Sequence, residues 1–184
     1  MVIDYQTPKN FRDCKNLNPF SIGQENFVKL TNFLNKGTGN LILAGETGRR
    51  KTFFACANMN AIRDRHKLKQ YEIGFCNVAE LSQVFKANFL EAWKNIEISN
   101  RLIDFKVLIV DDLGVIDPNN SFLEFLYVIL NKRCDNKDVA TIFTTNLSAK
   151  EMSQTYSPRI CSRISSGLII KMEGPDYRPI FESQ

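Results

Sequence analysis

Two short runs, "LILAG" at 41–45 and "VLIVDD" at 107–112, are apolar over most of their length, and a third, "ATIFTTN" at 140–146, mixes Ala, Ile and Phe with threonines. A strand with one wet face alternates apolar and polar residues, whereas a strand covered on both faces does not. Two further runs, "YEIGFCNV" at 71–78 and "GLIIKME" at 167–173, complete a set of five. Segments with helical spacing separate them. Strands alternating with helices predict an α/β fold, a five-stranded parallel sheet between helices. Ligands of such sheets sit beyond the carboxyl ends of the strands, so the residues that end each run matter most.

The first helix is expected from Ser21 to about Asn35, where Phe27, Leu30, Phe33 and Leu34 recur at helical spacing, followed by a turn at "NKGTGN". A second should run from Gly48 to about Lys67. One long helix is expected over "AELSQVFKANFLEAWKNIEI", then a basic turn near "RLIDFK". "DPNNSFLEFLYVILNKRCDNK" reads as a helix capped by Asn120 or Ser121. "SAKEMSQTY" and "SPRICSRISS" read as short helical pieces. The expected organisation is an irregular segment over 1–20, one domain over 21–175 and a tail over 176–184.

A chain of 184 residues suffices for one full core, and its net charge of +4 permits a nucleic-acid partner without requiring one. The five cysteines are scattered and His66 is the single histidine, so no zinc-ligand spacing occurs and a reducing compartment is implied. The N-terminus is polar and no apolar run approaches the ~20 residues that span a bilayer. A cytoplasmic chain with no membrane contact is expected.

The chemistry concentrates at the strand ends. After the first strand comes "GETGRRKT", Gly45 to Thr52. It is one residue away from a phosphate-binding loop, with Arg50 where the pattern has a glycine before the lysine. Gly45 and Gly48 allow a tight turn, and the N–H groups from Glu46 through Phe53, with Thr47 and Arg49 between, would surround phosphate oxygens at a helix N-terminus. Lys51 would reach the outer phosphates, and Thr52 would offer its hydroxyl to Mg²⁺. "VLIVDD" ends in two carboxylates, and an uncompensated charge at the end of a buried strand is costly. Asp111 suits a hard cation and Asp112 a water-polarising role. A turn cap would explain one aspartate more easily than two. Asn146, ending the fourth strand, could orient water against a terminal phosphate or merely begin a polar turn. Arg159 and Arg163, four apart, share one helical face; they are either surface charges or a donor to a neighbour's phosphate. Basic "RDRHKLK" (63–69) reads as helix-end charge or as a phosphate contact. Phe85, Phe89 and Trp93, interleaved with Lys86, Lys94, Arg101 and Lys106, read as core at helical spacing, with base stacking as the alternative.

Taken together, "NLILAGETGRRKTFFACA", "VLIVDDLG", "TIFTTNLS" and "RICSRI" resemble the AAA+ ATPase domain of DnaC/DnaI-type helicase loaders and the related IstB transposition proteins. The resemblance implies a P-loop NTPase of AAA+ type with little or no lid domain. It implies ATP/ADP and Mg²⁺ as cofactors, single-stranded DNA and a replicative helicase or initiator as partners, and self-association through Arg163 acting in trans, with Arg159 as the runner-up. Matched by motif, Gly45–Phe53 bind the nucleotide, Thr52 and Asp111 hold the metal, and Asp112, Asn146 and Arg163 are catalytic. Two departures stand out. About 20 residues precede the first helix here, whereas these loaders usually carry a further N-terminal domain that grips the helicase. Arg50 in place of glycine predicts weakened nucleotide binding and slow or absent hydrolysis. The alternatives are therefore a nucleotide-independent adaptor or inhibitor of a helicase or initiator, and an IstB-like transposition helper. A small-molecule kinase fits less well, because such enzymes use their later segments as a substrate lid.

Overall fold

The computed structural model describes residues 5–12, 14 and 22–174. In chain order the elements are α1 (Gln24–Lys36), β1 (Gly39–Ala44), α2 (Lys51–His66), β2 (Ile73–Asn77), α3 (Val78–Ala87), α4 (Ala92–Asp104), β3 (Val107–Leu113), α5 (Asn120–Asp135), β4 (Ala140–Thr145), α6 (Ala149–Thr155), α7 (Pro158–Ile164) and β5 (Leu168–Lys171). Short 3₁₀ turns lie at Lys9–Phe11 and Gln70–Glu72. The five strands form one sheet in the order β2-β3-β4-β1-β5, every pairing parallel.

Successive side chains of a strand point to opposite faces, and both faces are covered here. Leu41, Leu43, Val107 and Ile109 pack with Leu30 and Phe33 of α1 and Met59 and Ile62 of α2. Ile42, Leu108, Val110 and Phe143 pack on the other side with Leu81 and Val84 of α3, Leu102 of α4, Phe122 and Leu126 of α5 and Ile160 of α7. The absence of polar alternation in the sequence is the record of this three-layer packing.

The long helix expected over 79–98 is instead two, broken at 88–91. The break is held by Asn95, whose amide donates to the carbonyls of Phe85 (3.2 Å) and Asn88 (3.4 Å) and so satisfies the end of α3 from the start of α4. "RLID" then belongs to α4, which runs to Asp104, so no basic turn occurs there. The cap of α5 is Asn119, whose side chain accepts the Phe122 N–H at 2.9 Å, rather than Asn120 or Ser121. The first helix begins at Gln24; Ser21, most of the lead-in and the tail lie outside the described residues.

Arg133 of α5 is 2% exposed, and among the described residues it pairs with no carboxylate. Its guanidinium donates to the carbonyls of Leu102 (2.9 Å), Ile103 (3.1 Å) and Phe105 (2.7 Å), to that of Ala140 (2.6 Å) and to Thr141 Oγ1 (2.9 Å). One side chain thus closes the end of α4 and fastens it to the start of β4. Among the described residues no helix is long and apolar enough to cross a membrane.

Candidate nucleotide-binding site

The loop between β1 and α2 opens on a cavity of about 550 Å³ at the carboxyl edge of the sheet. Its lining includes Gly48, Lys51, Thr52, Phe53, Asp112, Asn146 and, from the N-terminal segment, Phe11. Phe11 and Phe53 meet edge-on with ring centroids 6.4 Å apart. Two glycines make the turn. A Cβ on Gly45 would stand 2.5 Å from the Met172 carbonyl oxygen, and Gly48 has φ 84°. Arg50, where the motif has glycine, is the N-cap of α2 with φ 55° and ψ 30°, in the left-handed region. Its carbonyl accepts the Phe54 N–H at 2.9 Å and starts the helix. The Arg50 side chain makes no capping hydrogen bond to this 16-residue helix, and the first residues of the helix, Lys51 to Phe53, line the cavity, where first-turn N–H groups and the positive end of the dipole favour an anion.

Lys51 is buried and its ammonium donates to the carbonyls of Gly45 and Glu46, each at 2.8 Å, which ties the loop across its mouth. Burial lowers its pKa most; the carboxylates of Asp112 and Asp111 act against that, and the Arg49 charge adds to the lowering. Thr52 Oγ1 donates to Asp111 at 3.0 Å, joining the loop to β3.

The two aspartates sit together in a β-bulge. Val110 pairs with Phe143 and Leu113 with Thr145, so Asp111 and Asp112 together stand opposite Thr144. Thr144 Oγ1 donates to Asp111 Oδ1 at 2.7 Å and accepts the Asp112 N–H at 2.9 Å. Asp111, 4% exposed, is turned into the sheet top; burial raises its pKa to about 6, against the lowering by the Thr144 and Thr52 hydroxyls. Asp112 adopts φ 60°, which re-aims its carboxylate into the cavity, and Asn77 Nδ2 donates to its Oδ2 at 3.3 Å. Asn77 and Thr144 are therefore part of the site. The sequence signal for Asn77 was only its place near the end of an expected strand.

Asn146 is exposed at the end of β4 and lines the cavity. Arg163 does not line it. The Arg163 carbonyl accepts Asn40 Nδ2 at 2.8 Å, near the start of β1, and its guanidinium lies 3.7 Å from Asp135 at the end of α5. It stands at the opposite edge of the sheet from its own loop, and Arg159 is exposed on the same short helix. Phe85 is packed against Phe122 and Phe125, but Phe89 and Trp93, expected in the core, are 68% and 61% exposed because the helix break turns them outward.

Residues 23–164 match the model of the family described as IstB-like ATP binding protein, which is well over half of the chain. The chain belongs to this family. Its fold is that of solved AAA+ domains. It superposes on a DnaI structure with a TM-score of 0.70 at 20% identity, covering 93% of this chain and 94% of that one. It superposes on a structure of the DnaC helicase loader with 0.73 at 19%, covering 90% and 100%. Similar too is a replication initiator DnaA bound to AMPPCP and single-stranded DNA, with 0.72 at 18% over 94% of this chain; the chain spans about half, 52%, of that protein. A comparison with curated proteins gave no match.

Proposed function

We propose that the chain binds Mg²⁺-ATP in the β1–α2 loop and acts in DNA replication as a helicase loader of the DnaC/DnaI kind, working with a replicative helicase or initiator on single-stranded DNA. The observation that carries the nucleotide reading is the chain Thr52–Asp111–Thr144. It brings a hydroxyl and a carboxylate, both hard oxygen donors, within 3.0 Å of each other beside an uncapped helix N-terminus and a buried lysine. Thr52 and Asp111 would hold the metal, which when bound supplies positive charge to the outer phosphates. Lys51 and the N–H groups of Gly48–Phe53 would bind the phosphates, and Phe11 and Phe53 would cover the base. Asp112, fixed by Asn77 and the bulge, would polarise a water that Asn146 orients. Arg163, at the far edge of the sheet, would serve a neighbouring copy across an interface rather than its own loop.

Exposed Phe89 and Trp93, with Lys86 beside them, suit the stacking of unpaired bases. One observation favours the second reading, an adaptor that contacts protein. The same tip carries Leu90 at 94% and Ile96 at 60% exposure, and its two lysines (86, 94) are cancelled by Glu91 and Glu97, with Lys94 held by Glu91 at 2.5 Å.

The test combines two titrations of the full chain. The first adds Mg²⁺-ATP to the wild type and Lys51→Ala; the second adds a labelled single strand at rising salt. Saturable ATP binding lost in Lys51→Ala, with strand affinity falling as salt rises, supports the loader reading. Absence of ATP binding would refute the nucleotide reading, and absence of strand binding would leave the adaptor reading in its place.

A further inference from the structure

Arg49 follows the loop glycine Gly48, yet its side chain is only 20% exposed. Its Nη2 donates to Glu46 Oε2 at 2.6 Å, and that carboxylate is 81% exposed. A second cavity of about 570 Å³ adjoins the phosphate cavity on the side of β5, with Glu46, Leu147 and Met172 in its wall. Among the described residues, only Arg49 and Asn146 line both cavities. They stand where the two cavities meet, Arg49 two residues before Lys51 in the loop and Asn146 at the end of β4. Arg50 lines the first cavity alone.

We infer that Arg49 is the residue that distinguishes a nucleoside triphosphate from a diphosphate. Its guanidinium leaves the Glu46 carboxylate for the terminal phosphate, so the loop itself senses the third phosphate. This rests on the nucleotide reading above. Three features support it. A guanidinium forks onto carboxylate and phosphate with the same geometry, so one can replace the other without moving the backbone. Glu46 is solvent-exposed and three residues away, so its release returns a carboxylate to water at little cost. Lys51 shares its protons with two loop carbonyls, which leaves Arg49 as the less committed cation at the Asn146 wall.

The experiment is calorimetric titration of Mg²⁺-ATP and Mg²⁺-ADP into the full chain and into Arg49→Gln, Arg49→Lys and Glu46→Gln, with thermal unfolding of each to confirm folding. A charge-assisted contact present only with the triphosphate predicts that Arg49→Gln weakens ATP roughly 10- to 100-fold and ADP less than about threefold. Arg49→Lys should recover part of the ATP affinity. Glu46→Gln, which frees the guanidinium beforehand, should tighten ATP several-fold. Equal losses for ATP and ADP in Arg49→Gln, or an unchanged ratio, would overturn the inference while leaving nucleotide binding intact. If the wild type binds neither nucleotide, both the inference and the reading beneath it fall.

Discussion

Arg50→Gly separates two places where the non-glycine residue of the loop could exact its cost. The folded chain itself holds Arg50 at φ 55° and ψ 30°. A left-handed conformation costs an L-residue ~1–2 kcal/mol, and glycine is free of it. Glycine in turn gives up ~0.5–1 kcal/mol of extra backbone freedom on folding. The net expectation is a gain of about 0.5–1 kcal/mol in stability. For a chain of this length each kcal/mol moves Tm by about 2–4 °C, so Tm should rise by about 1–4 °C. Because the backbone already has the conformation from which α2 starts, and the Arg50 side chain is exposed, affinity for Mg²⁺-ATP should change less than about threefold. The opposite account places the strain in the nucleotide complex. A strain of ~1–3 kcal/mol released only on binding would tighten ATP by about 5- to 150-fold and leave Tm unchanged. Differential scanning calorimetry and a calorimetric titration on the two chains decide it. An unchanged or lowered Tm with more than tenfold tighter binding refutes the argument from the loop geometry.

Asp111, raised by burial from 3.8 to about 6, binds a proton more readily folded than unfolded, so its charge costs stability above the unfolded value and that cost fades as pH falls from 6 to 4. Asp111→Asn should therefore gain up to about 3 kcal/mol over the wild type at pH 8 and almost nothing at pH 4 in denaturant titrations; an equal gain at both would show that desolvation is not the cause. Arg133→Ala should lose about 3–5 kcal/mol of unfolding free energy, since several buried carbonyls lose a charged donor at once. Arg133→Lys should recover less than half, because one ammonium cannot span acceptors on α4 and β4; full recovery would mean that charge, not the fork, matters. Arg163→Ala should abolish ATP-dependent self-association in analytical ultracentrifugation and leave ATP affinity within about threefold; unaltered assembly would remove the trans role.

Much of the fold was legible because a strand buried on both faces lacks the polar alternation of a half-wet one. "LILAG", "VLIVDD" and "ATIF" mark β1, β3 and β4, and two acids at the end of such a run mark a site edge. The loop was legible from its glycines. What was hidden depends on contacts between distant residues. Asn95 breaks the helix by reaching back to Phe85 and Asn88, and no local propensity signals that reach. The break in turn exposes Phe89 and Trp93, whose spacing alone matches a core stripe. The bulge that assigns Asp111 inward and Asp112 outward exists only relative to Thr144 on a strand some 30 residues later. Asn77 joins the site because the sheet order sets β2 beside β3.

β1 carries the candidate phosphate loop at its carboxyl end and holds the carbonyl of Arg163 beside its start, so the two lie roughly 15–20 Å apart along one stiff strand. On the proposed trans role of Arg163, a molecule that receives at one end and gives at the other would meet its copies head to tail, not in mirrored pairs. An open row then has one fewer completed site than it has members. Its first molecule carries a loop that nothing completes, and its last an arginine that nothing uses. Two separately crippled chains, one without Lys51 and one without Arg163, would each lack what the other retains and could build one whole site between them.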